Sequence, residues 1–174
     1  MQKAITRWGI VGGADIARKN WLSILNSGNG ALVAVASRKL DSAARFIEEC
    51  QTQAPFPVKP QALASYAELI ASPDIDAIYI PLPTALRGEW VLAAAQAGKH
   101  VVCEKPCAAS AASLEEMIAA CKRHRVQFMD GVMFMHSRRL AEVRAAIAES
   151  VGRVRRMTLA WCEPLRECNR KRGF

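Results

Sequence analysis

The segment Glu104-Lys105-Pro106 places an acid, a base and a proline directly after the apolar run Val101, Val102 and Cys103. Lysine is a compact cation whose pKa falls readily on desolvation. Beside a substrate hydroxyl, Lys105 can hydrogen-bond the oxygen and stabilise alkoxide as hydride leaves. Glu104 can orient Lys105 or tune its charge. An X-Pro bond is the one place where a cis peptide is cheap, so Pro106 is a candidate for a cis turn. The same three residues also fit a surface Glu–Lys pair beside a turn.

Three further segments carry possible chemistry. Gly12-Gly13-Ala14-Asp15-Ile16-Ala17 follows the first apolar run and opens the first helical pattern. It fits G-x-A-x-x-A, a relaxed form of G-x-G-x-x-G. Gly12 allows the tight turn, Ala14 lets a pyrophosphate approach the backbone, and Ala17 permits close helix–strand packing. The helix N-terminus offers free N–H groups and positive dipole to a phosphate. Small residues also line purely structural turns of this kind. At the end of the second apolar run stand Ser37, Arg38 and Lys39. A site selecting NAD usually carries Asp or Glu there, whereas arginine clamps a 2′-phosphate. The expected cofactor is therefore NADP rather than NAD; an exposed basic loop is the alternative. Pro81-Leu82-Pro83 ends another strand pattern, because proline cannot continue a ladder. It can wall a ribose or nicotinamide, or simply stop the strand.

The elements that must position these groups alternate along the chain. Strand patterns fall at 5–11, 31–37, 75–83, 99–106 and 126–134, with a short, proline-broken one at 55–61. Helical patterns fall at 14–27, 41–51, 65–72, 84–98, 110–125 and 136–150. Asp41 or Ser42, Ser65 (with Glu68) and Ser113 (with Glu116) are expected N-caps, and Gly98 an expected helix stop. A further strand is expected from 152 onward. Such alternation predicts right-handed βαβ crossovers, an α/β fold with a doubly wound, mostly parallel sheet of Rossmann type. Ligands then lie beyond the carboxyl ends of the strands, where all four segments fall. The pattern predicts one domain over 1–150 and the start of a second over 151–174.

The net charge of +8 is uneven: residues 1–137 carry +2 and residues 138–174 carry +6. The basic end reads as a solvated face, since no nucleic-acid motif accompanies it. The six cysteines form no C-x-x-C pair and no zinc spacing, so no metal site is expected and free thiols fit a reducing compartment. With no secretory leader and no apolar run of membrane-spanning length, the expectation is a soluble cytoplasmic protein without nucleic-acid or membrane partners. Trp8, Trp21, Trp90 and Tyr79 read as packing residues, and His100 and His124 as having no catalytic role.

Taken together in order, GIVGGADIA, IPLPT, GKHVVCEKP and GVMFMHSRR resemble the glucose–fructose oxidoreductase / inositol dehydrogenase / MocA-like family of NAD(P)-dependent oxidoreductases. The likeness covers roughly residues 5–160 and is nearest the branch of dimeric dihydrodiol dehydrogenase and NADP-dependent D-xylose dehydrogenase. It implies that Lys105 is the catalytic lysine. It implies that Gly12, Gly13, Ala14, Asp15 and Ile16 lie along the pyrophosphate and that Ser37 and Arg38 meet the 2′-phosphate. Pro81, Leu82, Thr84, Glu104 and Lys105 would surround the nicotinamide, with Met133 and His136 near the interdomain cleft. The family commonly has His where this chain has Arg87, which leaves the hydrogen bonding at that corner open. The resemblance further implies about 150 more residues, one more domain, that hold the sugar or diol site and the homodimer contact. On that basis the chain is expected to be a truncated N-terminal domain, inactive alone. A non-catalytic NADP-binding module and a truncated, non-functional product are the alternatives.

Overall fold

The computed structural model describes residues 4–132, 135, 137–151, 153–156 and 158. The chain divides into two units, residues 1–132 and 133–174.

The first unit alternates strand and helix throughout: β1 (Thr6–Val11), α1 (Asp15–Asn26), β2 (Gly30–Ala36), α2 (Leu40–Gln53), β3 (Gln61–Leu63), α3 (Tyr66–Ala71), β4 (Ala77–Ile80), α4 (Thr84–Gln96), β5 (His100–Cys103), α5 (Ala111–Arg123) and β6 (Phe128–Asp130). The strands form one all-parallel sheet of order β3-β2-β1-β4-β5-β6. The order reverses between β1 and β4, so a crevice opens at the carboxyl ends of those strands. This is the doubly wound Rossmann architecture expected from the alternation.

Helices cover both faces, so the central strands are apolar on both sides. All four residues of β4 are buried. One core packs Trp21, Ile24, Phe46, Ile47 and Phe56 against Ile10, Val35 and Tyr79. The other packs Leu69, Val91, Ala94, Met117 and Cys121 against Val11, Ile78, Ile80 and Val101. Helix α1 buries Ala17, Trp21 and Ile24, residues spaced by four and three; Leu22, off that stripe, is 46% exposed. Alanines at 94 and 95 let α4 lie close to its neighbours.

Several ends differ from the sequence expectation. Helix α2 begins at Leu40 with Lys39 as its extended N-cap, ahead of Asp41 and Ser42. Helix α5 is capped by Ser110, whose hydroxyl accepts the Ser113 N–H at 3.2 Å; Ser113 itself is helical. Ser65 does cap α3, accepting the Glu68 N–H at 3.3 Å. The strand expected over the prolines at 55–61 forms just after them, because Gln61–Leu63 has the N–H groups that a ladder needs. Gly98 follows α4 in the left-handed region, at φ 71°.

In the second unit, α6 (Arg139–Ala146) continues as a π-helical segment, Ile147–Val151. Neither buries a residue. Met133, His136 and most of the strand expected from 152 lie outside the described residues. Among the described residues no helix is long and apolar enough to cross a membrane.

Candidate cofactor site

Strand register assembles the site. Val11 pairs with Ala36, Ile80 with Cys103, and Cys103 with Asp130. Each is the last residue of its strand. The chain therefore leaves the sheet at Gly12, Ser37, Pro81, Glu104 and Gly131 in one row along the carboxyl edge. Backbone hydrogen bonds carry the ladder into that row: Gly12 N–H to Ala36 O at 2.8 Å, Glu104 N–H to Ile80 O at 3.3 Å, and Gly131 N–H to Cys103 O at 2.8 Å.

Gly12 turns the chain from β1 into α1 at φ 97°, a region L residues avoid. A Cβ there would stand 2.9 Å from Leu82 Cδ2, so the turns after β1 and β4 touch. Ala14 is the N-cap of α1 and has no side chain to cap it. No side chain caps the first N–H groups of that twelve-residue helix, and the Ala17 N–H turns back to Ala14 O at 2.8 Å. Gly13, Ala14 and Asp15 are exposed, and Ile16 is half-buried.

Beside Gly13 a cleft of about 350 Å³ opens toward Ser37. Arg18 of α1 and Ser42, Arg45 and Glu49 of α2 wall it, with buried Phe46 among them. Arg38 is exposed and is not part of this wall.

Around Glu104 the site is more closed. Glu104 is 8% exposed. The Tyr79 hydroxyl donates to one carboxylate oxygen at 2.7 Å, and the Lys105 backbone N–H to the other at 3.2 Å. Burial and the adjacent carboxylate push the Tyr79 phenol far above its ordinary pKa. Gly131 has no side chain because one would meet the carboxylate, whose atoms lie 3.2 Å from the position of its Cβ. Glu104 thus meets Lys105 through the backbone; among the described residues it forms no ion pair with the ammonium. Lys105 itself is exposed.

The corner left open by the sequence is built by Arg87. Arg87 as a residue is 7% exposed. It donates to Leu82 O at 2.5 Å, to Glu104 O at 2.7 Å and to Pro106 O. One side chain from the first turn of α4 therefore ties the turn after β4 to the turn after β5. The peptide bond before Pro106 is cis. Pro81 and Leu82 are buried and Thr84 starts α4. Cys103 and Cys107 flank the turn. Burial pushes Cys103 to about 12 and raises Cys107, so both thiols stay protonated and are poor nucleophiles.

Three parts of this site were not foreseen: the Tyr79 hydroxyl on Glu104, the Arg87 clamp and the arginines of the cleft. Two had a sequence signal. A tyrosine inside an aliphatic strand needs a partner for its hydroxyl. An arginine in the first turn of a helix runs against the dipole and so needs another reason to be there.

The fold and this edge define a dinucleotide-binding α/β domain. Over residues 6–132 the sequence matches the Gfo/Idh/MocA oxidoreductase family with an NAD-binding Rossmann fold, and the chain belongs to that family. It is 33% identical to a dTDP-3,4-didehydro-2,6-dideoxy-alpha-D-glucose 3-reductase of Actinomadura kijaniata over 160 residues, 91% of this chain and 46% of the relative. It is 33% identical to a D-xylose 1-dehydrogenase (NADP(+)) of Haloferax volcanii, covering 84% of this chain and 43% of the relative. A solved 3-ketoreductase from Actinomadura kijaniata in complex with NADP superposes with a TM-score of 0.75 at 30% identity, over 84% of this chain and 45% of that one. The chain spans under half the length of these relatives. Equal identity to a sugar-nucleotide reductase and to a xylose dehydrogenase leaves the branch within the family undivided.

Proposed function

We propose that this chain is the cofactor-binding half of an NADP-dependent oxidoreductase that interconverts a carbinol and a carbonyl on a sugar or diol. The observation that carries the reading is the convergence of Gly12, Ser37, Leu82, Glu104 and Lys105 on one edge of the sheet. The residues fit a dinucleotide: a left-handed glycine turn, a helix N-terminus without a side-chain cap, and a cationic cleft beside Ser37. Gly12, Gly13, Ala14, Asp15 and Ile16 would hold the pyrophosphate, and Ser37 and Arg38 the adenosine ribose. Pro81, Leu82, Thr84 and Glu104 would border the nicotinamide. When bound, NADP supplies or accepts the hydride.

Lys105 has the catalytic role in this reading. Its ammonium hydrogen-bonds the substrate oxygen, lowers the cost of alkoxide character and holds the proton that moves with it. Glu104 fixes the backbone of Lys105 through the N–H at 3.2 Å and is itself held by Tyr79. Arg87 keeps the two bordering turns together. As in the longer relatives, residues 151–174 would lead into a substrate domain that supplies the substrate pocket.

Titration of the pure chain with NADPH, read by fluorescence transfer, tests the reading. NADPH binding tighter than NADH is expected. No binding, or tighter NADH, rejects the cofactor. In a form that turns over a sugar or trans-dihydrodiol, Lys105→Met should abolish turnover and spare NADPH affinity.

A further inference from the structure

The cleft beside Gly13 has a charge arrangement that the β2 turn alone does not explain. Arg18 is already engaged: it donates to the Glu49 carboxylate, lies 3.9 Å from Asp15 and sits over the Phe46 ring at 5.2 Å. Arg45 lines the same cleft one helical turn before Glu49 and makes no ion pair among the described residues. Among the residues that line the cleft the Arg18–Glu49 pair cancels, which leaves the charge of Arg45, with the hydroxyl-bearing Ser37 and Ser42 in the same lining and Asp15 outside it. A planar guanidinium and hydroxyl donors are the groups that recognise a phosphate monoester. A nearby carboxylate repels one unless a cation holds it.

We propose that Arg45, on α2, is the residue that discriminates NADP from NAD, and that Arg18 is a positioning residue which neutralises Glu49 and keeps it off the 2′-phosphate. Both arginines are exposed, but Arg38 lies outside the cleft wall and so contributes less than Arg45. The proposal rests on the cofactor reading above.

The test uses the full 174-residue chain and its affinities for NADPH and NADH. Arg45→Ala should weaken NADPH about tenfold or more, the effect of losing one charged hydrogen-bond partner. NADH affinity should stay within about twofold. Arg45→Glu should weaken NADPH further, and Arg38→Ala less than Arg45→Ala. Arg18→Gln should weaken NADPH by leaving Glu49 unpaired, and the double change Arg18→Gln/Glu49→Gln should restore it. A merely structural role for Arg18 gives no such rescue. If the wild type prefers NADPH but both Arg45 variants bind it unchanged, the assignment of Arg45 is wrong and the cofactor reading stands. If the wild type binds NADPH no better than NADH, the cofactor reading fails and this assignment with it.

Discussion

The two edges of the sheet both hold a buried cation on backbone carbonyls, Lys99 at one and Arg87 at the other, but they place their acids differently. At the amino edge, Arg7 at the start of β1 pairs with Asp76 just before β4, Nη2 to Oδ1 at 2.7 Å. Lys99, 8% exposed before β5, donates to Ser72 O and Ile75 O at 2.6 and 2.7 Å. Each cation there points at the strand-entry loops and helps hold them. At the carboxyl edge, Glu104 and Arg87 are buried with no ion-pair partner among the described residues, and Lys105 is exposed. A buried charge without a counter-ion costs stability, offset here by the hydrogen bonds that Glu104 accepts and Arg87 donates. The amino edge holds its cations on Asp76 and on loop carbonyls, whereas the carboxyl edge sets a buried carboxylate next to an exposed lysine.

The comparison breaks first at Arg87. Arg87→Met leaves three carbonyls in need of new partners and unties the turns after β4 and β5. It should cost about 3 kcal/mol in chemical denaturation, the upper range for buried polar groups losing their partner. A loss below about 1 kcal/mol would mean that water replaces the clamp.

Tyr79 gives the next effect. Tyr79→Phe removes a hydrogen bond to a buried carboxylate and should cost about 2 kcal/mol. Its phenol also gives a pH signature. The folded state raises its pKa, so the folded state retains the proton that the unfolded state loses. Stability therefore falls as pH rises above the ordinary phenol range. In Tyr66→Phe, which keeps Tyr79 as the sole tyrosine, phenolate absorbance should emerge only with unfolding. Earlier emergence would place the hydroxyl in water.

The amino edge gives the smallest effect and the opposite limb. The Arg7 side chain, hydrogen-bonded to Asp76, lowers its carboxyl from 3.8 to about 2. That contribution is complete above the ordinary carboxylate pKa and is lost as pH falls through about 2. Asp76→Asn should flatten this acid limb slightly, since the pair is partly exposed and screened. It should leave the alkaline limb set by Tyr79 untouched.

The contrast also separates what the chain's letters disclose from what only folding discloses. Alternation of apolar runs and amphipathic segments was sufficient for the parallel sheet, and loop position alone put all four motifs on its carboxyl edge. Gly12 and Pro106 were legible because backbone geometry restricts residue choice there. The Tyr79–Glu104 contact was not, because it depends on β4–β5 register across 25 positions of sequence. Arg87 read as a departure from a family pattern, yet its three acceptors come from two turns that only the sheet brings together. The cleft escaped for the same reason: Arg18 and Arg45 sit on separate helices, and no local motif links them. The start of α5 slipped because Ser110 and Ser113 offer equally good caps, and that of α2 because the helix begins after Lys39 with no side-chain cap.

Hydrogen–deuterium exchange of the full chain with and without NADPH tests the difference between the edges most directly. Protection should appear at residues 12–16, 37–46, 81–87 and 104–107, with the amino-edge residues 6–8, 75–77 and 99–100 unchanged. Protection confined to the amino edge, or none at saturating NADPH, would contradict the assignment of the carboxyl edge as the cofactor site.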